Sequence, residues 1–427
     1  MSAIAYPPFR VYVLAGFASN SSIFMLGAGL GWYVLGVTGS AGSVGFASFL
    51  FSLPFGLFML HAGLLTDRHG ARPLVAASLF LAGVATLGLG ALVLGGSAPL
   101  MAIYGLTFGV GTLLTLGGPG TISIVNDLVP PAAVSSAVAF TFLAINVGRI
   151  AGGAAAGLML ARFPAGVTIL GAGILLVGSA IPVWRLPGGG GGPAAHPATA
   201  FVAPILEAAR FAIQVPIVGV ILLLSIGPGA LGLAYNFLLP VAARELGAGA
   251  DGLGLLLAAA GAGGLVAGLG AARLMSGAGH GRAIFVGLAS AGAGLAAFGL
   301  APGLQLAMAA MAFVGSGFVI YASASLSLVQ ALSPVELRGR LTALYSLLYW
   351  GLMPVGALLG GAVAGAASAR VALSLAGAVL LVCGAAALVG RRELLSQRIP
   401  ETGSPRTAVA FPPADQPPRE PERRIEA

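Results

Sequence analysis

The chain has 427 residues, of which 58% are hydrophobic and only 7% are charged, and its formal net charge is +8. Because soluble domains are roughly one-quarter charged, this composition excludes a soluble globular protein and places most of the surface in lipid. All 20 basic residues are arginine, which excludes a P-loop with its phosphate-binding lysine and a lysine Schiff base.

Long apolar stretches alternate with charged or Gly/Pro-rich turns along the chain. A bilayer core takes about 20 apolar residues per helix, so the charge-free stretches 11–66 and 73–126 each hold two spans. Breaks at charges and turns predict twelve spans, at 11–36, 43–65, 73–95, 99–125, 132–160, 164–185, 213–241, 252–272, 283–301, 303–330, 339–366 and 370–390. We therefore predict an all-α polytopic membrane protein.

The spans fall into two groups of six. Residues 186–212 contain a run of glycines followed by prolines, which is typical of a flexible linker. This predicts an N-terminal bundle at 1–185 and a C-terminal bundle at 213–391. Residues 392–427, rich in Pro, Arg and Glu, are predicted to be a disordered tail.

Arginine distribution predicts the orientation. Cytoplasmic loops carry an excess of Lys and Arg, and most arginines fall on the side of the two termini, whereas the other side holds Arg162, Arg244 and Arg370. We therefore expect a multi-pass protein of the plasma (inner) membrane with both termini, the linker and the tail in the cytoplasm. The net positive charge then reflects topology and predicts no nucleic-acid partner.

The two halves repeat. An offset of 204 residues aligns Pro130 with Pro334 and Gly152 with Gly356, and each proline turn leads into a glycine-studded helix. Two six-helix units with this relationship predict parallel repeats about an axis normal to the membrane.

The most informative segment, 63–72, reads Gly-Leu-Leu-Thr-Asp-Arg-His-Gly-Ala-Arg and lies between spans 2 and 3. It resembles the signature loop of the major facilitator superfamily, G-x-L-x-D-R-x-G-x-R. Over residues 9–390 the chain is similar to the branch of that superfamily that contains the enterobactin exporter and macrolide efflux proteins. The other segments that carry this resemblance are Phe9-Arg10, Thr38-Gly39-Ser40-Ala41, Pro54, Val129-Pro130, Gly148-Arg149 and 332–340.

The resemblance implies the major facilitator fold and a latch that joins the two bundles on the cytoplasmic side while the cavity faces outward. Its first-half residues are Gly63, Asp67, Arg68, Gly70 and Arg72. Its second-half counterpart would be Glu336, Arg338 and Arg340. A carboxylate is favoured beside a helix N-terminus, and span 11 begins near Arg338. The alternative for both segments is a solvated turn that only sets topology.

Asn146 and Arg149 share one face of span 5, and Arg149 is the only charged residue well inside a span. A charge at that depth usually faces a bundle interior or wet cavity and is a functional hypothesis by default. The alternative is a structural arginine satisfied by helix carbonyls. All acidic residues fall in loops, span ends, the linker or the tail, so the cavity is predicted to prefer anionic or neutral substrates.

Polar and aromatic side chains on several spans are candidates to line this cavity, although packing or an aromatic belt is the alternative for each. They are Asn20, Ser21, Ser22, Trp32, Tyr33, Tyr235, Asn236, Tyr321, Ser323, Tyr345, Tyr349 and Trp350. His61 is a candidate proton carrier, with a packing role as its alternative.

We predict a secondary active transporter, not an enzyme, that exports a small amphiphilic neutral or anionic compound by alternating access. A siderophore-like metabolite or a drug fits this description. No cofactor or metal is predicted. The expected partners are the bilayer, the small-molecule substrate and a coupling proton, and the protein is expected to be a monomer. Import of a nutrient or anion, or a non-transporting sensor or assembly partner of the same fold, are the alternatives.

Overall fold

The computed structural model describes residues 3–96, 99–187, 202–232, 235–390 and 392–397. All regular structure within these ranges is helical, and twelve segments are long and apolar enough to cross a membrane. The predicted all-α fold with twelve transmembrane helices is confirmed.

In the N-terminal half, spans 1 to 6 are Pro7–Thr38, Ala41–His69, Ala71–Leu94, Leu100–Gly117 continued by Gly120–Leu128, Val134–Arg162, and Ala165–Trp184. In the C-terminal half, spans 7 to 12 are Pro216–Gly227 continued by Tyr235–Glu245, Gly249–Ala278, His280–Leu300, Leu304–Leu332, Val335–Trp350 continued by Met353–Ala366, and Ala369–Gly390. Shorter elements are the helix Val202–Gln214, a π-helical turn at Pro228–Gly232, and 3₁₀ turns at Ala3–Ala5, Pro131–Ala133 and Arg392–Ser396.

Three spans are interrupted where proline enters the helix. Pro119, Pro228 and Pro354 lie at the breaks in spans 4, 7 and 11. Proline lacks an amide hydrogen and its ring clashes with the preceding turn, so a continuous helix is not expected there.

The helix ends define two faces. Successive spans run in opposite directions, so the start of span 1, the turn at Gly70 and the end of span 6 lie on one face, here called the face of the termini. The turns at Gly39 and Gly247, after spans 1 and 7, lie on the opposite face. Within each half, spans pack pairwise, as where span 1 contacts spans 5 and 6 and span 10 contacts spans 8 and 9.

The signature segment 63–72 contains a turn that only glycine adopts readily. Gly70 has φ 84° and ψ 145° and joins spans 2 and 3 without an intervening loop. Gly279 joins spans 8 and 9 in nearly the same conformation, with φ 94° and ψ 156°. A side chain is strained at such angles. By backbone geometry, the turn at Gly279 therefore repeats the turn at Gly70 in the second half.

The last part of the predicted flexible linker is helical. In Val202–Gln214, Ala208, Phe211 and Ala212 are buried against the C-terminal bundle. Their spacing places them on one helix face. This helix was not predicted from the sequence, because the neighbouring glycines and prolines indicated a flexible linker. The remaining linker residues 188–201 lie outside the described residues.

The predicted tail begins with a docked turn. Leu394 is fully buried, and the Gly281 amide at the start of span 9 donates a hydrogen bond to the Gln397 carbonyl at 3.2 Å. A Cβ atom at Gly281 would collide with the Leu394 carbonyl, so glycine lets the tail backbone approach the span. The rest of the predicted tail, 398–427, lies outside the described residues.

Candidate functional site

Three of the predicted cavity tyrosines form a stack within the C-terminal bundle. The ring centroids of Tyr345 and Tyr349 are 5.7 Å apart with planes 9° apart, and those of Tyr321 and Tyr349 are 6.1 Å apart at 18°. Trp350 meets Tyr349 edge-on at 5.0 Å. All three tyrosines are buried, so spans 10 and 11 bring distant sequence positions together in one aromatic cluster, here called the tyrosine cluster.

Span 7 contributes further groups beside this cluster. The Ser225 and Tyr321 hydroxyls are 3.0 Å apart and share a hydrogen bond. Tyr235 is fully buried and stacks on Phe318 at 6.0 Å and 9°. The Tyr235 hydroxyl is buried and has no hydrogen-bond partner in the described part of the chain. Ser225 and Phe318 were not predicted, because neither residue type stands out in an apolar helix.

Arg149 faces the tyrosine cluster from the other bundle. Its guanidinium lies 5.3 Å from the centre of the Phe24 ring of span 1, in cation–π geometry. Its Nε atom is buried without a hydrogen-bond partner among the described residues. Tyr349 of span 11 lies within electrostatic range of Arg149, Tyr235 and Tyr321. Tyr349 is therefore the member of the tyrosine cluster that relates it to the predicted cation of span 5.

Asn146, one turn before Arg149, lies where the two bundles meet. Its side-chain oxygen is 3.4 Å from the position that a Cβ atom at Gly264 of span 8 would occupy. This places it at the contact between spans 5 and 8, at mid-span.

The polar residues of span 1 serve mainly its packing. Asn20 and Ser21 donate to carbonyls of their own helix at 2.8 and 2.9 Å. The buried Ser22 hydroxyl donates to the Ala172 carbonyl of span 6 at 2.6 Å. Trp32 and Tyr33 pack against the apolar core. Of the other candidates, Asn236 and Ser323 are half-buried, and His61 is exposed.

Spans from the two bundles meet on the opposite face, mostly through glycine. A Cβ atom added to Gly45 of span 2 would lie 2.6 Å from the Cα atom of Gly361 in span 11. A Cβ atom added to Gly254 of span 8 would lie 2.6 Å from the Cα atom of Gly157 in span 5. Small residues allow such close approach in membranes, where dispersion forces rather than the hydrophobic effect hold helices together.

Two adjacent residues at the end of span 7 also link helix ends on the opposite face. The Arg244 guanidinium lies 3.5 Å from the Leu35 carbonyl at the C-terminal end of span 1, in the other bundle. The Glu245 carboxylate accepts hydrogen bonds from the Ala369 and Arg370 amides that begin span 12, at 2.7 and 3.1 Å. Each charge complements the helix dipole that it meets. They border a pocket of about 500 Å³ between spans 1, 2, 7 and 11.

The predicted latch residues of the signature segment lie at and beside the turn between spans 2 and 3. Asp67 and Arg68 are exposed. The Arg72 guanidinium donates to the Leu186 carbonyl at the end of span 6, in its own half. Gly63 has open space where a side chain would lie.

The second-half latch candidates likewise contact their own half. Arg338 donates to the Gln330 carbonyl at 3.0 Å, and Arg340 forms an ion pair with Glu207 of the linker helix. The Glu336 side chain lies outside the described residues. The contacts between the bundles described above lie on the opposite face and at mid-span, and we infer that this conformation opens towards the face of the termini.

The Glu207–Arg340 ion pair is expected to stabilise the linker helix only slightly. The two side chains are 56% and 41% exposed, and exposed pairs contribute about 0–1 kcal/mol. A double-mutant cycle with Glu207→Gln and Arg340→Gln, measured by thermal unfolding of the purified protein, should give a coupling in this range. Arg210→Gln, exposed on the same helix, is the control. A coupling of several kcal/mol would contradict this prediction.

Comparison with known proteins identifies the family. A model of the transmembrane secretion effector family matches residues 1–410. The chain belongs to this family of major facilitator transporters. The expected resemblance is confirmed. Among curated proteins, the enterobactin exporter EntS of Citrobacter koseri is 26% identical over 344 residues, covering 80% of this chain and 81% of the exporter. EntS of Escherichia coli O1:K1 is 25% identical over 344 residues, again covering 80% of this chain and 81% of the exporter.

Solved structures share the fold at lower identity. A bacterial homolog of the human lysosomal transporter Spinster, in an inward-facing and unoccupied conformation, is 15% identical, with a TM-score of 0.69 over 92% of this chain and 99% of the homolog. A POT family transporter in complex with 5-aminolevulinic acid is 11% identical, with a TM-score of 0.76 over 91% and 97%. This major facilitator protein is therefore a membrane transporter and not an enzyme, and its fold fits alternating access.

Proposed function

We propose that the protein exports a small amphiphilic compound, anionic or neutral, such as a siderophore-like metabolite or a drug. The observation that carries this proposal is the juxtaposition of Arg149 with the tyrosine cluster across the two bundles. Every carboxylate of the chain lies near a helix end, in the linker helix or in the tail, so the mid-membrane site carries a positive charge alone. Such a site favours an anion and disfavours an organic cation.

The relatives support export. EntS of Citrobacter koseri is described as an enterobactin exporter, and the family is described as transmembrane secretion effectors. With the termini in the cytoplasm, as the arginine distribution predicts, the conformation seen here opens inward. Substrate would enter from the cytoplasm, contact Arg149 and the tyrosine cluster, and leave after the bundles rock about that site.

The signature loop would act in the part of the transport cycle in which the cavity faces outward. Asp67 and Arg68 are exposed in this conformation, which is consistent with a latch that engages when the cytoplasmic side closes. The N-terminal end of span 11, near Arg338 and Arg340, offers both a helix dipole and arginines to the Asp67 carboxylate. We place the protein in the plasma membrane as a monomer, with a proton as coupling ion and His61 as its candidate carrier.

Accumulation of labelled compounds in cells with and without the protein tests this function. The panel holds a catecholate siderophore, a macrolide, a fluoroquinolone and a lipophilic cation. We expect lower accumulation of an anionic or neutral compound, abolished by Asp67→Asn because the cytoplasmic side can no longer close. His69→Gln, an exposed change within the same turn, is the matched control and should export normally.

Other outcomes would select the alternatives. Increased accumulation would indicate import, and lower accumulation of the lipophilic cation alone would contradict the predicted charge preference. The protein could also be present in the membrane without changing the accumulation of any compound. Together with compound flux that does not depend on the proton gradient, this result would favour a sensor or assembly partner.

A further inference from the structure

A groove lies between spans 1 and 6 at the face of the termini, away from the candidate substrate site. The two spans pack against each other, and the groove between their ends has a volume of about 570 Å³. Its walls are mostly apolar and include Pro7, Val11, Ile181 and Leu186. Arg185, the residue after span 6, lines the same groove. A guanidinium group is thus part of an otherwise apolar cavity.

The end of span 6 lies at the level of the lipid headgroups. Trp184, its last residue, is 61% exposed, and exposed tryptophan at the end of a span is typical of the membrane interface. Arg185 follows directly and is also exposed. Val11 and Ile181 lie about one helical turn further into the membrane, because each is four residues from the end of the groove at Pro7 or Arg185. The arginine is therefore at phosphate depth, and the apolar walls begin where acyl chains begin.

Exposed apolar side chains continue the groove along both spans. On span 1, Leu14 follows Val11 by three residues, and on span 6, Ile174 precedes Ile181 by seven residues. Residues at these spacings share a helix face, and all four side chains are exposed. The two faces run from the arginine towards the membrane centre, as the acyl chain of a phospholipid does.

We propose that the groove binds one anionic phospholipid of the leaflet at the face of the termini, with its headgroup phosphate on Arg185 and an acyl chain along the apolar walls. A guanidinium can donate two parallel hydrogen bonds to a phosphate, and basic pockets between membrane helices bind anionic headgroups. A zwitterionic lipid carries a cationic group beside its phosphate, so its attraction to Arg185 is weaker. The proposal is independent of the proposed function, because it involves neither Arg149 nor the tyrosine cluster.

Quenching of Trp184 fluorescence by brominated lipids tests this site. The chain has three tryptophans, so Trp32→Phe and Trp350→Phe together leave Trp184 as the reporter. The full-length protein is placed in phosphatidylcholine nanodiscs, in which brominated phosphatidylglycerol or, in a parallel series, brominated phosphatidylcholine replaces the host lipid stepwise. An arginine near the membrane surface strengthens binding of anionic lipid about fivefold. We therefore expect phosphatidylglycerol to quench Trp184 at correspondingly lower mole fractions than phosphatidylcholine.

Variants of this Trp184 reporter protein separate the groove from the general positive charge of the protein. Arg185→Gln should abolish the preference for phosphatidylglycerol, and Arg185→Lys, which keeps the charge, should retain most of it. Val11→Phe narrows the groove and should reduce the preference, because the acyl chain loses space beside span 6. Arg210→Gln removes an exposed arginine from the linker helix and should leave the preference unchanged. Thermal unfolding checks that each variant is folded.

Three results would overturn the proposal. They are equal quenching of the reporter protein by the two brominated lipids, an unchanged preference in folded Arg185→Gln, and an unchanged preference in folded Val11→Phe, which would place the lipid outside the groove. Because quenching is measured without transport and without an exported compound, failure of the lipid site leaves the proposed function intact. Absence of export in cells likewise leaves the lipid site to be decided by quenching.

Discussion

Replacing Arg149 with alanine is expected to reduce export of an anionic compound about tenfold or more. Hydrogen bonds to charged groups contribute roughly 1.5–3 kcal/mol, and each 1.4 kcal/mol corresponds to about a tenfold change in an equilibrium constant. The substitution also removes a charge that faces the tyrosine cluster from the N-terminal bundle. The measurement is the initial efflux rate from preloaded cells that express equal amounts of each variant.

The matched variants separate charge from packing. Arg149→Lys keeps the charge but not the planar guanidinium fork, so an intermediate rate is expected. Arg162→Ala removes an exposed arginine from the same helix and should export like the wild type. If Arg149→Ala exported the anion at the wild-type rate, the role of Arg149 in substrate contact would have to be abandoned.

Replacing Gly157 with leucine is expected to shift the protein away from the conformation described here. A side chain at Gly157 would collide with the backbone of Gly254 in the other bundle. Overpacking typically costs about 1–3 kcal/mol, which corresponds to a shift of roughly fivefold to 140-fold in the ratio of the two states. Because the clash exists only while the opposite face is closed, the shift favours opening on that face.

Spin labels at Asn126 and Ala331 measure this shift. Both residues are exposed near the face of the termini, one in each bundle, and the single native cysteine, Cys383, is replaced by alanine. Pulsed electron paramagnetic resonance should show a shorter distance between the labels when Gly157→Leu is added. Gly178→Leu, where the structure has open space, should leave the distance unchanged. An unchanged distance in Gly157→Leu would show that the contact between Gly157 and Gly254 does not hold the opposite face closed.

The twelve spans could be predicted because the bilayer imposes one strong rule, a run of about 20 apolar residues. Their interruptions were harder to predict, since proline is tolerated in some spans and breaks others. Pro54 lies inside the continuous helix of span 2, whereas Pro228 begins a π-helical turn in span 7. Neighbouring helices decide between these outcomes, and a single sequence does not reveal them.

The site was predictable in part. Arg149 stands out as a charge in an apolar helix, and the cluster tyrosines stand out as polar aromatics. The residues that surround them, Phe24 and Ser225, are ordinary in a membrane helix and acquire their roles only through packing. Arg244 was counted only for topology, because its contact with span 1 joins residues that are far apart in the chain.

The glycine contacts on the opposite face give the two ends of the transport pathway different sensitivity to ions. That seal consists largely of backbone against backbone, as at Gly45 and Gly361, and its dispersion forces do not depend on dissolved salt. The latch proposed at Asp67 and Arg340 consists of exposed charges, whose attraction is screened over about 8 Å at physiological ionic strength. If the termini are cytoplasmic and the latch forms as proposed, cytoplasmic salt would therefore adjust how long the transporter stays outward-facing, whereas the glycine contacts on the opposite face would respond little to salt.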